Sequence, residues 1–151
     1  MTMLRLSKLT DYGTVAMTHF AREPERLHAA AELAGAMGVA APTAAKILKM
    51  LARADLLVSV RGAKGGYMLA RPSAKITIAD LIDALEGPIA LTECSAVAGL
   101  CSVEDSCAVR GNWQRINRVV RDALSQVTLA DLAQPRMRRI VWQPLHAPSM
   151  R

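Results

Sequence analysis

PTAAKILKMLARADLLVSVRGAKGGYMLAR, residues Pro42 to Arg71, changes its hydrophobic period halfway along. In the first half Ala44, Ile47, Leu48, Leu51 and Ala54 recur at steps of three and four, the repeat of one helix face. Pro42 suits the first turn of that helix, where its missing N–H leaves nothing unsatisfied. In the second half LLVSVR (Leu56 to Arg61) and GYMLAR (Gly66 to Arg71) are β-prone runs separated by GAKG, the signature of a hairpin with glycines at its turn. A helix running to about Ala54 and then a two-stranded hairpin is therefore predicted.

Upstream, Leu9, Tyr12, Val15, Ala16, His19 and Phe20 mark an amphipathic first helix over residues 9–21, with His19 read as a packed or half-exposed residue rather than a ligand. Pro24 lies in a turn, and an Ala-rich second helix runs from His28 to Met37, capped by Gly38. The second and third helices, joined by the short turn Gly38 to Ala41, have the form of a helix-turn-helix. On the third helix Thr43, Lys46, Lys49 and Arg53 share the face opposite the apolar stripe, and no acid follows until Asp55. An all-basic face at this place is what insertion into a major groove requires, so Thr43, Lys46 and Lys49 are candidate DNA contacts. The hairpin is then a wing, with Arg61 and Lys64 at its tip as candidates for backbone or minor-groove contact and Gly62, Gly65 and Gly66 permitting close approach.

Downstream, Thr77 and Asp80 form a capping-box pattern opening ITIADLIDALEG, which stops at Gly87-Pro88. ECSAVAGLCSVEDSCAVR, Glu93 to Arg110, follows without helical or strand period and holds all three cysteines. Free cysteines commonly pack as small hydrophobes, but this loop is polar, with Glu93, Glu104 and Asp105 beside the thiols. Three thiolates on one flexible loop can converge on a soft metal centre. A cluster-free thiol/disulfide switch and a zinc-stabilised loop are the alternatives. Gly111 to Val127 reads as a long helix with a narrow seam of Trp113, Ile116, Val120, Ala123 or Leu124, and Val127, and with Arg115, Arg118, Arg121 and Asp122 on its other face. Such a seam suits pairing with a second copy or packing on the domain. TLADL, Thr128 to Leu132, repeats the capping device.

The expected organisation is a winged helix-turn-helix domain over 1–87, a cysteine loop over 88–110, a dimerisation helix region over 111–133 and a basic, proline-containing, disordered tail over 134–151. The fold class is mainly α, with a two-stranded wing and a long C-terminal dimerisation helix. A net charge of +6 and a pI near 9.7 point to a polyanionic partner, and nucleic acid leads. No run of eighteen apolar residues and no apolar leader appear, so a cytoplasmic protein is expected, without a membrane partner. An odd cysteine count in a reducing cytosol argues against a disulfide framework. No acid–base pair, nucleophile elbow or phosphate loop appears, which excludes an enzyme and a small-molecule substrate.

The helix pair, the wing VRGAKGGY at Val60 to Tyr67, the capped helix and the three-cysteine loop before a long helix together resemble the IscR and NsrR family of winged-helix transcription regulators, over residues 3 to about 133. The EC that opens the loop, Asn112-Trp113 and VTLADL look most like the branch associated with SUF-type iron-sulfur assembly. The resemblance implies a homodimer on a pseudo-palindromic DNA operator, with one iron-sulfur cluster (2Fe-2S or 4Fe-4S) per subunit held by Cys94, Cys101 and Cys107. It further implies a repressor of iron-sulfur assembly genes that responds to cluster occupancy. The IscR-like pattern has a histidine three residues after the last cysteine; here Arg110 stands there and cannot ligate. The NsrR-like pattern supplies an aspartate from the partner subunit, and Asp11 in LSKLTDYG occupies the matching place. Glu93, Glu104, Asp105 or an exogenous ligand remain open for that position. Ala45 replaces the acidic residue that some members use to discriminate among sites.

Overall fold

The structure, a computed structural model, describes residues 5–134; residues 135–151, and with them nearly all of the expected tail, lie outside the described residues. In chain order it contains α1 (Lys8–Arg22), α2 (Ala30–Met37), α3 (Ala41–Arg53), β1 (Leu57–Val60), β2 (Gly66–Leu69), α4 (Ile78–Glu86), α5 (Glu93–Ala96), α6 (Arg110–Ser125) and α7 (Leu129–Leu132). None of the described helices is long and apolar enough to cross a membrane.

The third helix follows its sequence pattern closely. Ala44, Ile47, Leu48 and Leu51 are buried, with Pro42 in the first turn, whereas Ala54, the last position of the expected stripe, is exposed as the helix ends at Arg53. They meet Met17 and Phe20 of α1, Leu33 and Met37 of α2, Leu81 and Leu85 of α4, and Leu56 and Ile76 in one core. Truncating a fully buried Leu such as Leu48 to Ala costs about 2–5 kcal/mol. Gly38 ends α2 at φ 67, as its place in the sequence predicts. The α1 face is rotated from expectation. Thr10, Gly13, Ala16, Met17 and Phe20 point inward, whereas Val15 is exposed. Gly13 lies where α1 runs close to Leu85 of α4, and the Thr10 hydroxyl donates to Glu86 Oε1 at 2.5 Å, so neither needs an apolar side chain to face inward.

β1 and β2 pair antiparallel with Leu57 opposite Leu69 and Val60 opposite Gly66. The turn-proximal end of β2 is bonded to the segment before α2: the His28 N–H donates to the Tyr67 carbonyl at 2.9 Å, and the Tyr67 N–H donates to the His28 carbonyl at 2.8 Å. His28 is thus extended, and α2 begins two residues later than the sequence suggests. The wing glycines serve this packing. A Cβ on Gly66 would fall on the His28 carbonyl, and one on Gly65 on the Val60 carbonyl, so their small size is required inside the protein itself.

Both capping boxes form, Thr77 with Asp80 and Thr128 with Asp131. They lie side by side, with the Leu129 N–H donating to the Ile76 carbonyl at 2.8 Å and the Ile78 N–H to the Val127 carbonyl at 2.9 Å. Leu129 is fully buried in the main core, so the TLADL segment, placed by sequence in the dimerisation region, packs into the DNA-binding half.

Candidate nucleic-acid interface and cysteine centre

Lys46, Lys49 and Arg53 are exposed along α3, Thr43 is half-buried in its first turn, and Arg61 and Lys64 are exposed on the hairpin connection. None of these five cations has an ion-pair partner among the described residues. A groove of about 630 Å³ separates α3 from the hairpin, and Lys49, Arg53, Arg61, Gly62 and Tyr67 line it. The structure therefore brings Lys49 and Arg61 to one groove, while Thr43 and Lys46 lie nearer the start of α3 and Lys64 at the hairpin tip. Arg53, which the sequence places on the basic face, belongs more directly to this groove than Thr43 or Lys46 does. Unpaired cations on two sides of a groove suit a duplex backbone, whose phosphates replace the missing counter-charges.

Cys94, Cys101 and Cys107 are free thiols, each half-buried. Cys94 sits in the single turn of α5, with the Thr92 hydroxyl 3.2 Å from its sulfur. Around the other two the loop is organised by Glu104. The Glu104 N–H donates to the Cys101 carbonyl at 3.2 Å, and the Arg110 N–H to the Cys107 carbonyl at 3.3 Å. The Glu104 carboxylate is buried, accepting from the Gly99 N–H at 2.5 Å and pairing with the Arg110 guanidinium. Glu104 therefore has its oxygens occupied within the loop, whereas Glu93 and Asp105 are exposed. Asp11 is exposed on the first turn of α1, lining a separate groove with Arg5 and Thr14.

The three sulfurs do not all lie within 4.8 Å of one another, the mutual spacing of donors around a single ion. Their chemistry suits a larger, soft centre: three free, half-buried thiols on one segment that Glu104 and Arg110 hold together. On these observations the residues fit an iron-sulfur cluster. In the sequence Arg110 stands out only as a residue unable to ligate; its place against Glu104 is visible once the loop is folded. Thr92 is a further residue that sequence reasoning misses, and its one signal is its position two residues before Cys94.

The loop passes directly into α6, which buries no residue. Polar contacts hold this helix. Asn117 accepts from the Leu91 N–H at 2.9 Å and donates to the Ile89 carbonyl at 3.0 Å, and Arg121 grips Asp83 of α4. Arg121, which the sequence places on the face opposite the seam, is thus a tie to α4, and Asp83 is the largest cause of its raised pKa. Trp113 and Ile116 remain 40% and 45% exposed, an apolar seam that the described chain does not cover.

Residues 6–135 match the family model Rrf2, described as an iron-dependent transcriptional regulator. The chain is 33% identical over 134 residues to protein aau3 of Rhizobium meliloti (strain 1021), covering 88% of this chain and 87% of that protein. Among solved structures it resembles CymR (YrzC), the global cysteine regulator of B. subtilis, with a TM-score of 0.68 and 32% identity, covering 87% of this chain and 97% of that one. It also resembles T. potens IscR, with a TM-score of 0.62 and 31% identity over 85% of each chain. The unpaired basic groove, the two-stranded wing and a family match spanning nearly every described residue lead to one conclusion: this chain belongs to the Rrf2 family and is a winged-helix, DNA-binding transcription regulator, not an enzyme.

Proposed function

We propose that this regulator is an iron-sulfur sensor: a homodimeric repressor of iron-sulfur assembly genes whose hold on a pseudo-palindromic operator depends on a cluster at Cys94, Cys101 and Cys107. The observation that carries this reading is the placement of all three half-buried thiols on the one segment that feeds α6. Asp11 of the partner subunit is the proposed fourth ligand, since it is exposed at a helix start and leaves Glu104 to its internal role. A cluster with one oxygen-ligated corner is exchangeable and oxidisable, which is the property a sensor of oxidants or iron supply needs.

The chain's own residues supply the coupling. Order in the loop fixes Arg110, the first residue of α6; the same helix is tied by Asn117 to residues 89–91 at the start of the loop and fastened by Arg121 to Asp83 of the DNA-binding half. Pairing through Trp113 and Ile116 would then set the spacing of two α3 helices, which must reach half-sites about 34 Å apart. Thr43, Lys46 and Lys49 are assigned to the major groove and Arg61 and Lys64 to the backbone or minor groove.

A thiol switch without metal is the second reading, favoured by three free, half-buried thiols on one segment. Anaerobic purification with an absorption spectrum and iron, sulfide and zinc counts separates the two. Brown protein with roughly equal iron and sulfide, together with operator binding that differs between loaded and cluster-free protein, is expected. Colourless protein after reconstitution would pass the proposal to the thiol switch, and stoichiometric zinc would pass it to a zinc-stabilised loop.

A further inference from the structure

Away from the cysteine loop, three donor groups converge between α1 and the start of α2. His19 Nε2 lies 3.0 Å from Glu32 Oε1, and His28 Nδ1 lies 3.4 Å from the same oxygen. All three donor atoms fall within 4.8 Å of one another. Donors around a tetrahedral zinc sit about 3.4 Å apart, so this spacing is already close to that of a bound ion. We propose that His19, His28 and Glu32 form a second metal site, for a divalent first-row transition ion of the zinc or iron(II) class.

The chemistry surrounding the donors supports this. His28 is fully buried, and its Nε2 lies 3.2 Å from the Glu23 carbonyl, which can only accept. Nε2 therefore carries a proton, and the ring is held with Nδ1 turned toward Glu32 Oε1, the side on which an ion would bind. A ligating imidazole is characteristically oriented by such a bond from its other nitrogen. Glu32 presents the same oxygen, Oε1, to both imidazoles and is the anionic donor of the set. Two imidazoles and one carboxylate form a three-ligand set that leaves a position open to water or a further ligand.

Arg26 is the competing group. Its NH1 and NH2 donate to Glu32 Oε1 and Oε2 at 2.8 and 2.9 Å, and NH1 lies 3.5 Å from His28 Nδ1. Its side chain is 48% exposed on the turn before α2, so it can swing into solvent when an ion takes Oε1. The Nε2–H of His19 donates to Glu32 in the metal-free state, so ligation through Nε2 moves that proton to Nδ1 as the ion takes its place. The consequence reaches the wing. His28 holds Tyr67 through two backbone bonds, so an ion here ties α1 to the segment that anchors the hairpin.

The test uses the full chain with Cys94, Cys101 and Cys107 all replaced by Ser, titrated anaerobically with Co²⁺ and, in competition, Zn²⁺. One equivalent of Co²⁺ should bind with visible d–d bands, without thiolate charge transfer, and raise the melting temperature. His19→Gln and Glu32→Gln should each weaken binding about 10-fold or more. Arg26→Ala should tighten it, because both carboxylate oxygens are freed; a purely structural ion-pair network would gain nothing from that change. Absence of binding in folded triple-Ser protein, with or without Arg26→Ala, would overturn the proposal, as would binding indifferent to His19→Gln and Glu32→Gln. If the triple-Ser protein does not fold, the same titration on alkylated wild-type chain distinguishes the same outcomes.

Discussion

Arg121 holds Asp83 through both guanidinium nitrogens, at 3.0 and 2.6 Å, and so fastens the middle of α6 to α4 of the DNA-binding half. With Arg121 43% exposed, solvent screening limits this pair to about 1 kcal/mol of stability. Its larger effect is on communication. Asp83→Asn should leave the fold intact and bring the operator affinities of cluster-loaded and cluster-free protein toward each other. Fluorescence anisotropy on both forms measures the ratio; an unchanged ratio would remove Arg121 from the coupling path.

Lys49 and Arg61 face one groove from opposite sides, and their losses should differ. Lys49→Ala should lower the slope of log affinity against log salt by about 0.9, as for one lost phosphate contact. Arg61→Ala should weaken operator binding roughly tenfold or more. A wild-type salt slope in the lysine variant would count against a phosphate contact.

Trp113 and Ile116 present an uncovered seam on a helix with no buried residue. Ile116→Glu should convert dimer to monomer in sedimentation velocity without altering the circular dichroism spectrum. A dimer that persists would place the subunit contact elsewhere.

Glu32 gives a pH signature. Its carboxyl is held at about 2, below the ordinary 4.5, first by His19 and then by Arg26 and His28. A lowered carboxyl contributes stability that is fully present above 4.5 and is lost as pH falls from there through about 2. Glu32→Gln should therefore flatten the stability profile over that interval, as followed by urea denaturation in metal-free buffer.

The features legible in the sequence are the locally determined ones. The α3 stripe, Gly38, and the Thr77 and Thr128 boxes depend on residues within a turn of one another, and each forms as its pattern predicts. The α1 face departs from its pattern where a close helix contact at Gly13 and a side-chain bond from Thr10 replace apolar packing. The three cysteines stand out by composition, but the Glu104–Arg110 pair within their loop does not. Two charges in a polar loop look solvated until the fold buries one of them. His19 alone reads as a packed or half-exposed side chain, and it is half-exposed; its proximity to His28 and Glu32 arises only when α1 meets α2.

The backbone bridge between His28 and Tyr67 separates the hairpin into two parts with different evolutionary freedom. The start of β2, where Gly66 lies against the His28 carbonyl, is fixed by the packing of the protein itself, and side chains there are constrained whatever DNA is bound. The tip from Arg61 to Lys64 is exposed, and no ion pair among the described residues holds it. Apart from Gly62, whose φ of 117 disfavours other side chains, substitutions there can accumulate without disturbing α3, so a descendant of this chain could change how its wing meets DNA through Arg61, Ala63 and Lys64 while inheriting the rest of its reading head unaltered.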